Sequence, residues 1–177
     1  MKYFIAFLFL SLYSHEVSLV KKIPITFEAK VTAIKDGDTF KVFADGKETT
    51  IRLAHIDCPE KRQPFSNNAK QLASDLCFGK TVKVVSDGTT DRYKRLIAEI
   101  YVGRQCVNQQ LVKEGMAWHY KKYSKSILYA NLEVLARKDK AGLWADKEPI
   151  APWDYRKSKR KKQTKQNPLH SKESKGL

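Results

Sequence analysis

No apolar run in this sequence is long enough to cross a bilayer, and no set of soft ligands is spaced to hold a zinc ion. The apolar stretch at residues 3–13 is too short to be a span. Cysteine is scarce, with Cys58, Cys77 and Cys106 far apart, and the four histidines are scattered, so a Zn²⁺ centre is excluded. Internal repeats are missing as well, which argues against a solenoid. Acidic residues are outnumbered, 19 against 34 Lys and Arg, for a formal charge of +15. An excess of this size implies a polyanionic partner, nucleic acid before an anionic membrane surface.

What is present suits one domain, since 177 residues that are 42% apolar and 11% aromatic can enclose a core. The charge is spread unevenly. Residues 155–177 hold nine Lys or Arg against Glu173 alone, a net +8 with few apolar residues, and read as a disordered basic tail. Such a tail would add salt-sensitive affinity for nucleic acid. Residues 1–22 read as a signal peptide, Lys2 followed by a short apolar run, for a protein that is secreted or sits in the cell envelope or periplasm. Retention as an N-terminal membrane anchor is the alternative. A buried N-terminal helix is set aside because Lys21, Lys22 and Pro24 would end it.

Residues 25–42 are rich in Val, Ile, Thr and Phe and are broken by Asp36, Gly37 and Asp38, which predicts two strands and a tight turn. Asp45, Gly46 and Lys47 turn the chain into a third strand, residues 49–56. A polar loop, residues 57–64, precedes a helix over 67–76 capped by Ser66. Residues 81–85 and 96–102 alternate polar and apolar and form a hairpin, joined by a polar loop too long for a minimal turn. Asn108 caps a short helix ending at Gly115, and Ser126 a longer one to Lys140 with Leu128, Leu132 and Leu135 on its apolar stripe. Trp118, Trp144 and Trp153 read as packing anchors. The order implies an α+β class dominated by a five-stranded OB-type barrel with about three packed helices, spanning residues 23–154. A hairpin centred near Asp91 or Arg92 brings Cys77 and Cys106 to its open end, where a disulfide is expected in an oxidising compartment, with Cys58 left free.

Four acids, Asp36, Asp38, Asp57 and Glu60, fall at two loops leaving one small sheet. Carboxylates crowded there repel unless a hard cation lies among them, and Ca²⁺ is the first choice, since Mg²⁺ or Mn²⁺ needs a tighter octahedral site. Arg52 and Arg95 bracket the group; a guanidinium holds two phosphate oxygens at once and keeps its charge. Arg92, Tyr93, Tyr120 and Tyr123 are candidates for a wall that stacks a base and holds a terminal phosphate.

Taken in order, Asp36-Gly37-Asp38-Thr39, the segment from Ile51 to Glu60, Asp91-Arg92-Tyr93-Lys94-Arg95, Val107-Asn108, Gly115-Met116-Ala117-Trp118 and Gly142-Leu143-Trp144 resemble the successive motifs of the thermonuclease (staphylococcal nuclease) family, over about Phe27 to Tyr155. The resemblance implies a Ca²⁺-dependent nuclease acting on DNA or RNA, working as a monomer with no protein partner, and leaving 3′-phosphate ends. It implies that Asp38, Asp57 and the Cys58 backbone carbonyl ligate one Ca²⁺, with Asp36 in support. Glu60 would hold the attacking water, and Arg52 and Arg95 the scissile phosphate. Two positions depart from the family: Cys58 stands where threonine is common, which a backbone ligand tolerates, and Lys94 replaces a usual glycine. Two other readings compete, a barrel that binds nucleic acid without cutting it, and a basic surface protein whose tail binds anionic lipid or cell-wall polymer.

Overall fold

The computed structural model describes residues 24–166; the expected leader, residues 1–22, and residues 167–177 of the expected tail lie outside them. In chain order the elements are β1 (Ile25–Asp36), β2 (Thr39–Ala44), β3 (Lys47–Leu53), β4 (Ile56–Asp57), α1 (Ser66–Cys77), β5 (Thr81–Ser86), β6 (Leu96–Val102), β7 (Gln105–Cys106), α2 (Val107–Lys113), β8 (Trp118–His119), α3 (Ile127–Lys138), a 3-10 turn (Gly142–Ala145) and α4 (Pro152–Gln166).

Period-two alternation builds the barrel, because every second side chain of a strand points inward. Val31, Phe40, Val42, Ile51, Leu53, Val82, Val84, Ala98 and Ile100 fill the interior, each at most 1% exposed. β1 is long enough to pair twice, through residues 25–30 with β5 and residues 30–36 with β2. Register shifts between Val31 and Ala33 and between Ile34 and Asp36 mark where it bends. A parallel pairing of β3 with β6, Ile51 opposite Leu96 and Arg52 opposite Ile97, closes the sheet into a five-stranded barrel of the OB type. That closure carries the site, since it puts Arg52 beside the strand that Arg95 leads into.

Among the described residues four helices surround the barrel, one more than expected. α1 buries Ala69, Ala73 and Cys77, spaced by one turn, against β1 and α2. Ser66 begins it, and Phe65, left-handed at φ 64°, takes the cap position assigned to Ser66. Asn108 is no cap either. It lies fully buried inside α2, accepting from the Ile100 N–H (3.1 Å) and donating to the carbonyls of Ala54 and Ala98 (3.1 Å each), so its amide bolts the helix to the barrel. α3 is rotated from the expected stripe: Leu132 packs against the core, but Leu128 and Leu135 are 51% and 55% exposed, while Tyr129, Glu133 and Ala136 are buried. A polar pairing decides this, with the Tyr129 hydroxyl donating to Glu99 and Arg137 Nε donating to Glu133 at 2.8 Å.

Two further expectations are corrected. The basic segment is helical as far as Gln166, with Pro152 at the start of α4 and Asp154 in its first turn, the residue types that favour a helix N-terminus. The disulfide between Cys77 and Cys106 is not formed, and all three cysteines are free and buried. The hairpin pairs Val84 with Ile100, but neither cysteine continues it: Cys77 ends α1, and after Val102 the chain turns back into β7, which sets Cys106 opposite Tyr101. Cys77 Sγ instead donates to the Ala73 carbonyl within α1 (3.1 Å), and Cys106 Sγ lies 3.7 Å from the Tyr129 hydroxyl. Burial pushes the Cys77 thiol up to about 12.

Candidate active site

Strand ends and tight loops place each polar group of one open cleft of about 1360 Å³ on the barrel flank. The β2–β3 register sets Thr39 opposite Arg52, so Asp38, just before β2, reaches the Arg52 side chain. Gly37 makes this turn possible: a Cβ there would stand 2.9 Å from the Cβ atoms of Ala69 and Cys58. Without that atom the turn closes down on residue 58, whose N–H donates to Asp38 Oδ2 at 2.7 Å. The β4–β8 pairing fixes Asp57 opposite Trp118, where it is 2% exposed.

Arg52 then ties the two loops together. Its Nη2 donates to Asp57 Oδ1 (2.8 Å) and lies 3.2 Å from Asp38 Oδ2, while Nη1 donates to the carbonyls of Leu53 (2.7 Å) and Ile56 (2.8 Å). Both carboxylates therefore meet at one nitrogen, the convergence the sequence pattern suggested. Arg95 joins them at one remove. Its Nε and Nη2 hold Asp91 Oδ2 (2.8 and 2.6 Å), and Nη1 donates to Thr39 Oγ1 (2.9 Å), which in turn donates to Asp38 Oδ1 (3.3 Å).

Burial and charge set the electrostatics. Burial first, then the neighbouring Asp38, pushes the Asp36 carboxyl up to about 6. Burial also lifts Asp57 above its ordinary value; a hydrogen bond from Arg156 opposes this and Asp38 adds to it. Burial pulls on the Arg52 guanidinium in the other direction, but Asp38 and Asp57 outweigh it and keep it charged. In formal charge, Asp36, Asp38 and Asp57 outnumber Arg52 and Arg156, the arginines paired with this group.

That imbalance bears on which ion the cleft fits. Asp38 and Asp57 offer hard carboxylate oxygens, and Cys58 contributes a backbone carbonyl next in the chain. Its thiol, driven well up by burial and then by Asp38, stays neutral and is no thiolate ligand. Among the described residues no group of three or more His, Cys, Asp or Glu is placed to hold a metal. The donor set fits a single oxygen-preferring cation that keeps part of its water shell.

Glu60 faces the same cleft, and its carboxylate receives Arg156 Nη1 at 2.6 Å. Arg156 Nη2 also donates to Asp57 Oδ2 (2.8 Å) and to the Tyr120 hydroxyl (3.4 Å). Across the cleft, Tyr93 is 62% exposed with Arg92 and Arg95 stacked over its ring at 4.7 and 5.4 Å. Tyr120 and Tyr123 meet edge to face (4.9 Å), and Tyr123 is 70% exposed. One face of Tyr120 is covered by Trp153, stacked parallel at 5.4 Å, so the free stacking surface on that side belongs to Tyr123.

Residues 50–146 match the family model described as staphylococcal nuclease homologue. A Haemophilus influenzae protein described as an uncharacterized endonuclease is 41% identical over 132 residues, covering 74% of each chain. A Shigella flexneri protein described as a micrococcal nuclease is 35% identical over 156 residues, covering 80% of this chain and 88% of its own. A staphylococcal-like nuclease of Arabidopsis thaliana is 40% identical over 114 residues, 64% of this chain and 35% of the plant protein.

The chain belongs to the staphylococcal nuclease family.

Arg52, Asp57, Glu60 and Arg95 lie inside the matched segment, whereas Asp36, Asp38 and Arg156 lie outside it. Lys94, where this family usually has glycine, sits at φ +60°, the left-handed conformation that glycine adopts freely. Lys94 therefore bears the strain of a Cβ in that conformation. Three residues were not singled out from the sequence: Thr39, the relay between Arg95 and Asp38; Ser124, which sits 2.9 Å from His55 Nδ1 and 2.9 Å from His119 Nε2; and Arg156. A hydroxyl beside a turn carries no distinguishing signal. For Arg156 there was one, the Pro152 and Asp154 helix start, which puts it in the first turns of a helix.

Proposed function

We propose that this chain is a Ca²⁺-dependent nuclease that hydrolyses phosphodiester bonds in DNA or RNA and leaves 3′-phosphate ends. The observation that carries the reading is the meeting of Asp38 and Asp57 at Arg52 Nη2 in a cleft that also holds Glu60 and Arg95. The relatives' descriptions as nucleases support the same class.

Asp38, Asp57 and the Cys58 carbonyl are the groups that would hold the cation. When bound, it supplies Lewis-acid neutralisation of charge on the phosphate oxygens. Glu60 orients a water for in-line attack and takes its proton, standing at the cleft edge where water has access. Arg95 presents a guanidinium to the phosphate from the loop side and neutralises charge that grows in the transition state. Arg52 keeps the two aspartates from repelling each other and adds positive charge at the cleft floor. The exposed rings of Tyr93 and Tyr123 offer stacking surfaces for bases on either side of the scissile bond.

The test is an assay of purified protein on labelled single-stranded DNA and RNA with Ca²⁺, Mg²⁺ or chelator, beside Glu60→Gln. Cleavage that needs Ca²⁺, yields 3′-phosphate ends and drops on the order of 10²-fold in Glu60→Gln is expected. Undiminished cleavage in chelator would refute the cation's part, and full activity of Glu60→Gln would refute the assigned base.

A further inference from the structure

Arg156 reaches the cleft from the element that the sequence pattern marked as a tail. Arg156 sits on α4 one turn after Trp153, which packs edge to face on Trp118 (5.5 Å) and stacks on Tyr120. The start of α4 is tied to the Glu60 loop a second way. Gln63, 5% exposed, donates from Nε2 to the Ile150 carbonyl (2.5 Å) and accepts the Glu60 N–H on Oε1 (3.0 Å). Glu60 and Arg156 thus face each other from two segments clamped together at their bases.

Both ends of the Arg156 fork touch Asp57, and one of them also holds Glu60: Nη1 donates to Asp57 Oδ1 at 3.3 Å as well as to Glu60. Nη1 lies 2.6 Å from Glu60 Oε1, and Nη2 lies 2.8 Å from Asp57 Oδ2. Asp57 is buried, so the second contact supplies counter-charge where water cannot. Glu60 is 38% exposed at its side chain, and this contact is what gives its carboxylate a direction. A cation approaching Asp57 meets a guanidinium on both carboxylate oxygens, held closely at Oδ2 (2.8 Å) and more loosely at Oδ1 (3.3 Å), while the shortest contact of Nη1 is to Glu60 (2.6 Å).

We propose that Arg156 is a positioning residue of this site: it aims Glu60, and it is the built-in counter-ion that a divalent cation must displace from Asp57. The proposal rests on the nuclease reading and gives Arg156 two effects of opposite sign. Removing it disorders Glu60 and lowers turnover, yet frees Asp57 and tightens the cation. General loss of packing would weaken both.

The experiment uses the full chain as wild type, Arg156→Gln and Arg156→Lys, with kcat and KM on single-stranded DNA at saturating Ca²⁺, and calorimetric titration with CaCl₂ alone. For Arg156→Gln, kcat is expected to fall about 10- to 100-fold with KM changed less than about threefold, as for other residues that orient a reacting group through one contact. Its Ca²⁺ Kd should tighten about tenfold, the size of one competing, partly exposed ion pair. Arg156→Lys, which keeps the charge but cannot span two carboxylates, should retain near-wild-type Ca²⁺ affinity with an intermediate kcat. An unchanged kcat in Arg156→Gln, or Ca²⁺ affinity that stays equal or weakens, overturns the proposal while an active wild type leaves the nuclease reading intact. A wild-type chain that neither cleaves DNA nor binds Ca²⁺ overturns both.

Discussion

The two sides of the cleft hold their charges by opposite means. On the acidic side, Arg52 is 11% exposed at its side chain, fills both Nη positions with protein acceptors, and stands on a strand paired to neighbours on both edges. On the basic side, Arg95 is 25% exposed and its loop is organised around one carboxylate, Asp91, whose Oδ1 accepts the N–H groups of Tyr93 (2.9 Å) and Arg95 (3.0 Å). Partial burial nudges Asp91 upward, but the Arg95 and Tyr93 hydrogen bonds outweigh it and keep the carboxyl below its ordinary value. Like charges have to be pinned because they would otherwise move apart, and the barrel wall is the stiff part of the molecule. The guanidinium and aromatic groups assigned to the substrate in the proposed function stand on a loop outside the barrel wall.

Replacing the pinning residue should therefore do the most damage. Arg52→Gln strands two buried carboxylates without a shared counter-charge, and should cost about 3–5 kcal/mol of stability as well as 10²-fold or more in rate. Urea unfolding and initial rates measure the two, and a stability loss under about 1 kcal/mol would mean that the wall is no stiffer than the loop. Arg95→Gln should lower the rate by a comparable factor of about 10² but cost less than about 1 kcal/mol, because its partners keep access to water. Gly37→Ala sharpens the contrast on the acidic side. A Cβ at 2.9 Å from its neighbours forces the 36–38 turn off residue 58 and should cost about 1–3 kcal/mol. Lys94→Gly probes the loop and has the smallest effect. It relieves a left-handed non-glycine residue but loosens the unfolded chain, for a net gain of about 0.5 kcal/mol by thermal melt and rates within about threefold.

Much of the barrel was legible because its signals are local. Alternation in residues 81–85 and 96–102 marked strands whose apolar side chains do point inward, and Asp-Gly pairs marked the turns. The acids and Arg52 were legible as an ordered set of motifs. Apolar pattern alone misjudged α3, where Leu128 and Leu135 fit a helical stripe but buried Tyr129 and Glu133 found polar partners that the pattern does not weigh. The Cys77–Cys106 pairing failed because the hairpin arms do not run on to either cysteine: α1 ends at Cys77 and a second tight turn folds Cys106 back along β6.

The sequence by itself determined the strands, their turns and the kinds of charge the cleft would hold, since each depends on residues a few positions apart. Tertiary structure alone decided who meets whom: the parallel β3–β6 closure that sets Arg52 near Arg95, and the docking of α4 that brings Arg156 to Asp57 from 99 residues away. Periodicity fixes which way a side chain points along its own element. Only the packing of whole elements against one another fixes what it points at, and that packing is a property of the entire core.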